Sequence, residues 1–154
     1  MYARPAAPQI VKINLHAYIE EESLFLANDP RFNSIMLQNL VPKSAEVSAD
    51  PNQLHQVIIN LLQNAADAMA DGGRVSIECT SSTATAIISI TDNGSGIAED
   101  AALHLFEPFW TTKPTGTGLG LAISYRIIEA HGGNLSVESP SDGGCRFVIS
   151  LPML

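Results

Sequence analysis

Between Asp50 and Met69 the apolar residues Leu54, Val57, Ile58, Leu61, Leu62, Ala65, Ala68 and Met69 recur at helical spacing. This pattern predicts one helix with a buried face. Asp50 suits the N-cap, Pro51 the first helical position, and Gln53 the return partner of a capping box. Asp71-Gly72-Gly73 supplies the stop. A second line along this helix is polar. Asn60, Asn64 and Asp67 fall at i, i+4 and i+7, and Gln53 and Gln56 extend the line. Mid-helix asparagines lower helix propensity, and a purely solvated face favours Lys, Glu, Arg or Gln. Taken alone, the line is either an ordinary wet face or a functional one.

The rest of the pattern alternates between strand and helix periods. Residues 10–13 read as a short extended piece. Asn14 then caps a helix to about Ala27, with Leu15, Ile19, Leu24, Phe25 and Leu26 as its core candidates. Asn28-Asp29-Pro30 ends it. Strands are predicted at 32–40, 46–49, 74–80 and 84–91, the last two joined by a Ser81-Ser82-Thr83 turn. A short helix at 98–105 and an irregular stretch at 106–117 follow. A helix at 118–130 ends at His131-Gly132-Gly133, and a hairpin of 134–138 with 145–151 closes the chain. Together these elements predict an α/β (α+β) two-layer sandwich: a mixed, mostly antiparallel sheet with one face covered by three longer helices.

At 154 residues the chain is one domain, long enough to form a core without disulfides or a structural metal. The composition, 45% hydrophobic and 16% charged, is that of a globular protein. The formal net charge of -8 argues against nucleic acid and anionic membrane as partners. A phosphate ligand remains compatible, because backbone amides, a metal ion and one Lys can hold it. Cys79 and Cys145 are far apart and lack metal-ligand spacing, as expected of reduced thiols in a cytoplasmic protein. No apolar run has the length of a membrane helix, and no signal peptide is recognisable.

Two glycine clusters change the picture. Asp92-Asn93-Gly94-Ser95-Gly96-Ile97 sits at a strand end, where glycine admits close backbone approach and a carboxylate can accept from an exocyclic amine. Gly116-Thr117-Gly118-Leu119-Gly120-Leu121 opens a helix, where free amides and the helix dipole can cradle phosphate. It has neither the Lys-Ser/Thr of a Walker loop nor the preceding strand of a Rossmann turn. Between them lie Phe106, Phe109, Trp110 and Lys113. Taken singly, each has a plainer reading: an ordinary Asp-Asn-Gly turn, a linker before a helix cap, an aromatic hydrophobic anchor and a solvated Lys.

In this order the chain resembles the ATP-binding catalytic domain of sensor histidine kinases, in the wider superfamily of histidine kinases, gyrases, chaperones and mismatch-repair ATPases. NLLQNAADA resembles its N box, DNGSGI the first glycine box, FEPFWTTK the F box and GTGLGLA the second glycine box. The resemblance covers about residues 10–154. Residues 1–9 look like the remnant of a preceding dimerisation helix or linker. The short stretch between the F box and the second glycine box looks most like nitrogen-regulation and oxygen-sensing kinases.

The resemblance implies a Bergerat-type ATP-binding fold, with ATP and Mg²⁺ as cofactors. Asn64 would hold the metal. Asp92 would accept from the adenine amino group, with Gly94, Gly96 and Ile97 beside the base. Lys113 would neutralise the terminal phosphate, Gly116, Thr117, Gly118, Leu119, Gly120 and Leu121 would cradle the phosphates, and Phe106 to Thr117 would form a lid. Asn60 stands where hydrolysing relatives carry a Glu that activates water, and an amide cannot act as that base. Asn60, Asn64 and Lys113 are thus the candidate catalytic side chains for transfer rather than hydrolysis. Asp67 stands where a Lys often contacts phosphate, so it is placed near the site with an open role.

None of His16, His55, His104 and His131 carries the sequence context of a phosphoacceptor. His55 is expected to be exposed and His131 structural. The acceptor is expected on a separate dimerisation domain, and a response regulator as the downstream partner. Neither nucleic acid nor membrane is expected to contact this domain. The alternatives are an ATP-hydrolysing module, a serine kinase of the anti-sigma-factor type, and a nucleotide-gated interaction domain.

Overall fold

The computed structural model describes residues 6–96, 99–107, 120–141 and 143–153. In chain order the elements are β1 (Val11–Asn14), α1 (Leu15–Leu26), β2 (Ile35–Asn39), β3 (Glu46–Ala49), α2 (Pro51–Asp67), β4 (Gly73–Ser81), β5 (Thr85–Asp92), α3 (Glu99–Ala102), α4 (Gly120–Ala130), β6 (Asn134–Glu138) and β7 (Cys145–Pro152). Five strands form one sheet in the order β2-β4-β5-β7-β6. β2 runs parallel to β4, and the other neighbours are antiparallel. β1 and β3 form a separate antiparallel pair.

Strand alternation decides which face is covered. Val75, Ile77 and Cys79 of β4, Ala86, Ile88 and Ile90 of β5, and Phe147, Ile149 and Leu151 of β7 are all buried. They share one core with Leu15, Ile19 and Leu26 of α1, with Leu54, Val57, Ile58, Leu61 and Leu62 of α2, and with Ile127 and Ile128 of α4. This is the expected two-layer arrangement with three longer helices on one face. The two mid-helix asparagines of α2 cost at most about 0.7 kcal/mol each in propensity. Each large apolar side chain buried on the same helix contributes about 1.5–3 kcal/mol, so packing decides the helix.

Asp50 caps α2 as expected, accepting from Asn52 N at 2.9 Å and Gln53 N at 3.1 Å. The return half of the capping box is absent. Gln53 Nε2 donates instead to the Ala6 carbonyl at 2.8 Å, and the Asp50 N–H donates to His131 Nε2 at 3.0 Å. His131 Nδ1 pairs with the Ile127 carbonyl at 2.8 Å, which makes Nδ1 the protonated nitrogen and bears out a structural role. The Gln9 N–H donates to Asp50 Oδ2 at 2.9 Å, so residues 6–9 dock on the start of α2.

Other sequence expectations also need correction. Ala68 is exposed, because α2 ends at Asp67 and Ala68 is its C-cap rather than part of the buried face. Leu24 and Phe25 are 74% and 59% exposed and lie outside the core. An unbroken apolar run contains more apolar residues than one helical face can bury. β2 starts at Ile35 rather than Phe32, because Pro30–Phe32 forms a 3-10 turn capped by Asp29. His55 is not simply a solvated residue. Its Nδ1 lies 2.7 Å from the buried Glu22 carboxylate, and its ring packs edge-on against Phe25 at 5.0 Å.

Candidate functional site

Asp92 is the last residue of β5 and keeps the inward parity of Ile88 and Ile90, so a carboxylate ends the buried row. It is 5% exposed. Its Oδ1 accepts the Gly94 N–H at 2.8 Å, and Cys145 of β7 stands opposite it in the ladder. Burial pushes this carboxyl above the ordinary range, against the pull of the backbone N–H groups of Gly94 and Cys145.

The loop after Asp92 is pinned from both sides. The Asn93 side chain accepts the Arg74 N–H at 2.8 Å, and the Asn93 N–H donates to the Arg74 carbonyl at 3.2 Å. A Cβ added to Gly94 would lie 2.9 Å from the Ala68 carbonyl and 3.0 Å from Met69 Cγ. Only glycine therefore lets the loop sit against the C-terminal end of α2, bringing Asp92 to the helix that carries Asn64.

On α2, Asn64 Nδ2 donates to the Asn60 carbonyl at 2.9 Å. This fixes the amide, with its carbonyl oxygen as the part able to ligate a hard cation. Asn60 Nδ2 donates to Ser124 Oγ of α4 at 3.2 Å. Gly120, the first residue of α4, lies so close to Asn60 that an added Cβ would overlap Asn60 Oδ1. The start of α4 therefore rests on the polar line of α2, and the structure brings Asn60, Asn64 and Gly120 together.

Asp67 is engaged elsewhere. Its Oδ1 lies 3.6 Å from Arg31 Nη1, and Arg31 also pairs with Asp29 at 2.9 Å. The pairing with Arg31 holds the Asp29 carboxyl below its ordinary value. Arg31 and Asp67 line a groove of about 300 Å³ with Pro30, Ser34 and Met69. Phe106 stacks on Tyr125 at 5.2 Å and meets Phe147 edge-on at 6.5 Å, anchoring the chain after α3 to α4 and β7. Leu121 packs partly buried against the core. Ile97, Lys113, Gly116, Thr117, Gly118 and Leu119 lie outside the described residues.

Among the described residues no group of three or more His, Cys, Asp or Glu could hold a metal ion. A lone amide oxygen fits a cation that arrives with phosphate and keeps several waters, which is the habit of Mg²⁺. Sequence reading missed Ser124 and the Gly144–Cys145 pair. Ser124 reads as one more helical residue, and Gly144 reads as part of a hairpin turn. Nothing local ties either to the site.

The profile of the Histidine kinase-, DNA gyrase B-, and HSP90-like ATPase family matches residues 49–154. The chain belongs to this ATPase family. It is 39% identical over 154 residues to sporulation kinase A of Bacillus subtilis (strain 168), a match covering 99% of the chain and 25% of that protein. It is 36% identical over 151 residues to the sensor histidine kinase ZraS of Escherichia coli O157:H7, covering 97% of the chain and 33% of ZraS. The chain thus spans a quarter to a third of the length of these curated relatives. This ATPase-family fold superposes on the catalytic domain of histidine kinase ThkA with a TM-score of 0.83 at 31% identity, covering 94% of the chain and 97% of that domain. ThkA has also been solved in complex with the response regulator protein TrrA. There the TM-score is 0.81 at 28% identity, covering 96% of this chain and 42% of ThkA.

Proposed function

We propose that this domain binds ATP with Mg²⁺ and donates the terminal phosphoryl group to a histidine on the dimerisation domain of a two-component sensor kinase. The carrying observation is Asp92, a buried carboxylate held by the Gly94 N–H beside the helix that bears Asn64. A carboxylate so placed accepts from an exocyclic amine and rejects a carbonyl at the same position, which selects adenine over guanine.

Asn64 supplies a carbonyl oxygen to Mg²⁺, and the metal, when bound, neutralises charge on the phosphates. The segment 116–121 and Lys113 hold the phosphates, and 106–117 closes over them. Asn60 provides no basic group, and its amide N–H is directed to Ser124. The site therefore orients and neutralises without activating water, which favours transfer to a second nucleophile over hydrolysis.

The nucleophile belongs to the dimerisation domain, and the response regulator takes the phosphoryl group from it. ThkA in complex with TrrA supports that kind of partner. No helix among the described residues is long and apolar enough to cross a membrane.

Calorimetric titration with ADP and GDP, each with and without Mg²⁺, tests the binding half. Mg²⁺-dependent binding of ADP and not of GDP is expected. Equal binding of both nucleotides would remove the role of Asp92, and binding indifferent to Mg²⁺ would remove that of Asn64. Adding a separate dimerisation domain with labelled ATP tests the transfer half. Nucleotide binding without any labelling of that domain would leave a nucleotide-gated interaction module.

A further inference from the structure

Asp92 and Cys145 face each other across the β5–β7 ladder, and both side chains lie on the buried face of the sheet. Their backbones are direct partners in the ladder, and the Cys145 N–H favours the ionised form of the Asp92 carboxyl. One residue earlier, Gly144 adopts φ +83, a left-handed conformation that disfavours any side chain. Its α-carbon lies so close to β5 that an added Cβ would overlap the Asp92 carbonyl oxygen and lie 3.1 Å from Asn93 Cα. A Cβ on Gly96, in the loop after Asp92, would lie 3.2 Å from the Gly144 carbonyl. The turn before β7 is thus wedged against the backbone of Asp92 and of the loop that follows it.

We propose that Gly144 and Cys145 are positioning residues for base recognition. Gly144 sets the position of the Asp92 backbone and so the place of its carboxylate, and Cys145 holds that end of β5 as its ladder partner. Part of the adenine specificity then resides in the hairpin turn, far along the chain from the glycine box that carries the acceptor. This rests on the reading of Asp92 as the acceptor for the adenine amino group. The Cys145 thiol is held neutral, pushed up to about 12 by burial and by the Asp92 charge. It therefore brings no second charge to the carboxylate.

The neighbouring Gly143 provides the control. It has φ +94, but an added Cβ would meet nothing within 4 Å. Alanine at either position meets the same kind of backbone strain, and only Gly144→Ala also presses on Asp92. Each variant and Asp92→Asn are titrated with ADP and GDP. Gly144→Ala is expected to lose ADP affinity by roughly tenfold or more, about 1.4 kcal/mol, and to discriminate ADP from GDP less well. Gly143→Ala is expected to bind within about twofold of the parent, a change of about 0.4 kcal/mol.

A folded Gly144→Ala with parental affinity and selectivity, beside an Asp92→Asn that has lost ADP, overturns the proposal and leaves the adenine reading intact. An Asp92→Asn that binds ADP as the parent does overturns both. One measurement needs no glycine variant. In the parent chain the Cys145 amide nitrogen shift is expected to titrate with the Asp92 carboxyl, and that titration to vanish in Asp92→Asn. A Cys145 amide indifferent to pH in the parent also overturns the proposal.

Discussion

Asn60 on α2 and Ser124 on α4 are joined by a hydrogen bond of 3.2 Å, and Ser124 is only 2% exposed. The contact ties the helix that carries Asn64 to the helix that follows the second glycine cluster. Ser124→Ala leaves the Asn60 amide without this partner and is expected to lower stability by about 1 kcal/mol in urea unfolding. A cycle with Asn60→Ala should show coupling, because the two side chains share one interaction. Strict additivity would mean that the bond contributes nothing.

Asn64→Ala should separate stability from function. Alanine is the better helix former by up to about 0.7 kcal/mol, which offsets loss of the bond to the Asn60 carbonyl. The thermal midpoint is expected to hold or rise slightly while Mg²⁺-dependent ADP binding disappears. Retained Mg²⁺ dependence would place the metal ligand elsewhere.

The Asp92 carboxyl is raised by burial, so two pH effects follow. Protonation removes the acceptor, so ADP affinity should begin to fall at a higher pH than an ordinary carboxyl near about 4 would give. Stability moves the other way. The native state binds this proton more tightly than the unfolded chain, so Asp92 favours folding at low pH. That contribution is lost as pH rises from about 4 through the raised native value. Asp92→Asn should remove this decline, measured as the difference between the two chains' stability–pH curves. Superimposable curves would rule out a raised native value.

Glu22 has a side chain only 6% exposed, and its carboxylate lies 2.7 Å from His55 Nδ1. His55→Ala takes the imidazole from the buried Glu22 carboxylate, leaving the Tyr18 hydroxyl beside it, and is expected to cost about 1–3 kcal/mol. Glu22→Gln placed in that background should recover part of the loss, because a neutral amide is easier to bury than a carboxylate that has lost its imidazole partner. No recovery in chemical denaturation would mean that only packing against Phe25 was lost.

Local sequence carried those parts of the molecule whose determinants are local. The Asp50 cap, the apolar face of α2 and the alternation in β4, β5 and β7 were legible because each rests on residues a few positions apart. Asp92 was legible as a candidate only through the order of the four motifs, because an Asp-Asn-Gly run at a strand end reads by itself as an ordinary turn. His55 was misread because its partner is on another helix, and nothing in its neighbourhood signals Glu22. The same blindness hid Ser124 and Gly144. Leu24 and Phe25 were misread for another reason, since hydrophobicity alone does not say which side of an apolar run is covered.

The β5–β7 ladder has a further consequence. The hairpins β4–β5 and β6–β7 join strands close in sequence, whereas β5 and β7 pair across a long stretch that includes α3, α4 and β6. Contacts of such separation carry a larger loop-closure entropy and slow the folding of the chains that depend on them. Asp92 and Cys145 face each other only when this ladder closes. On the proposed reading of Asp92, competence for nucleotide is expected to follow that closure, so that nucleotide adds its stabilisation only to chains that have completed the sheet.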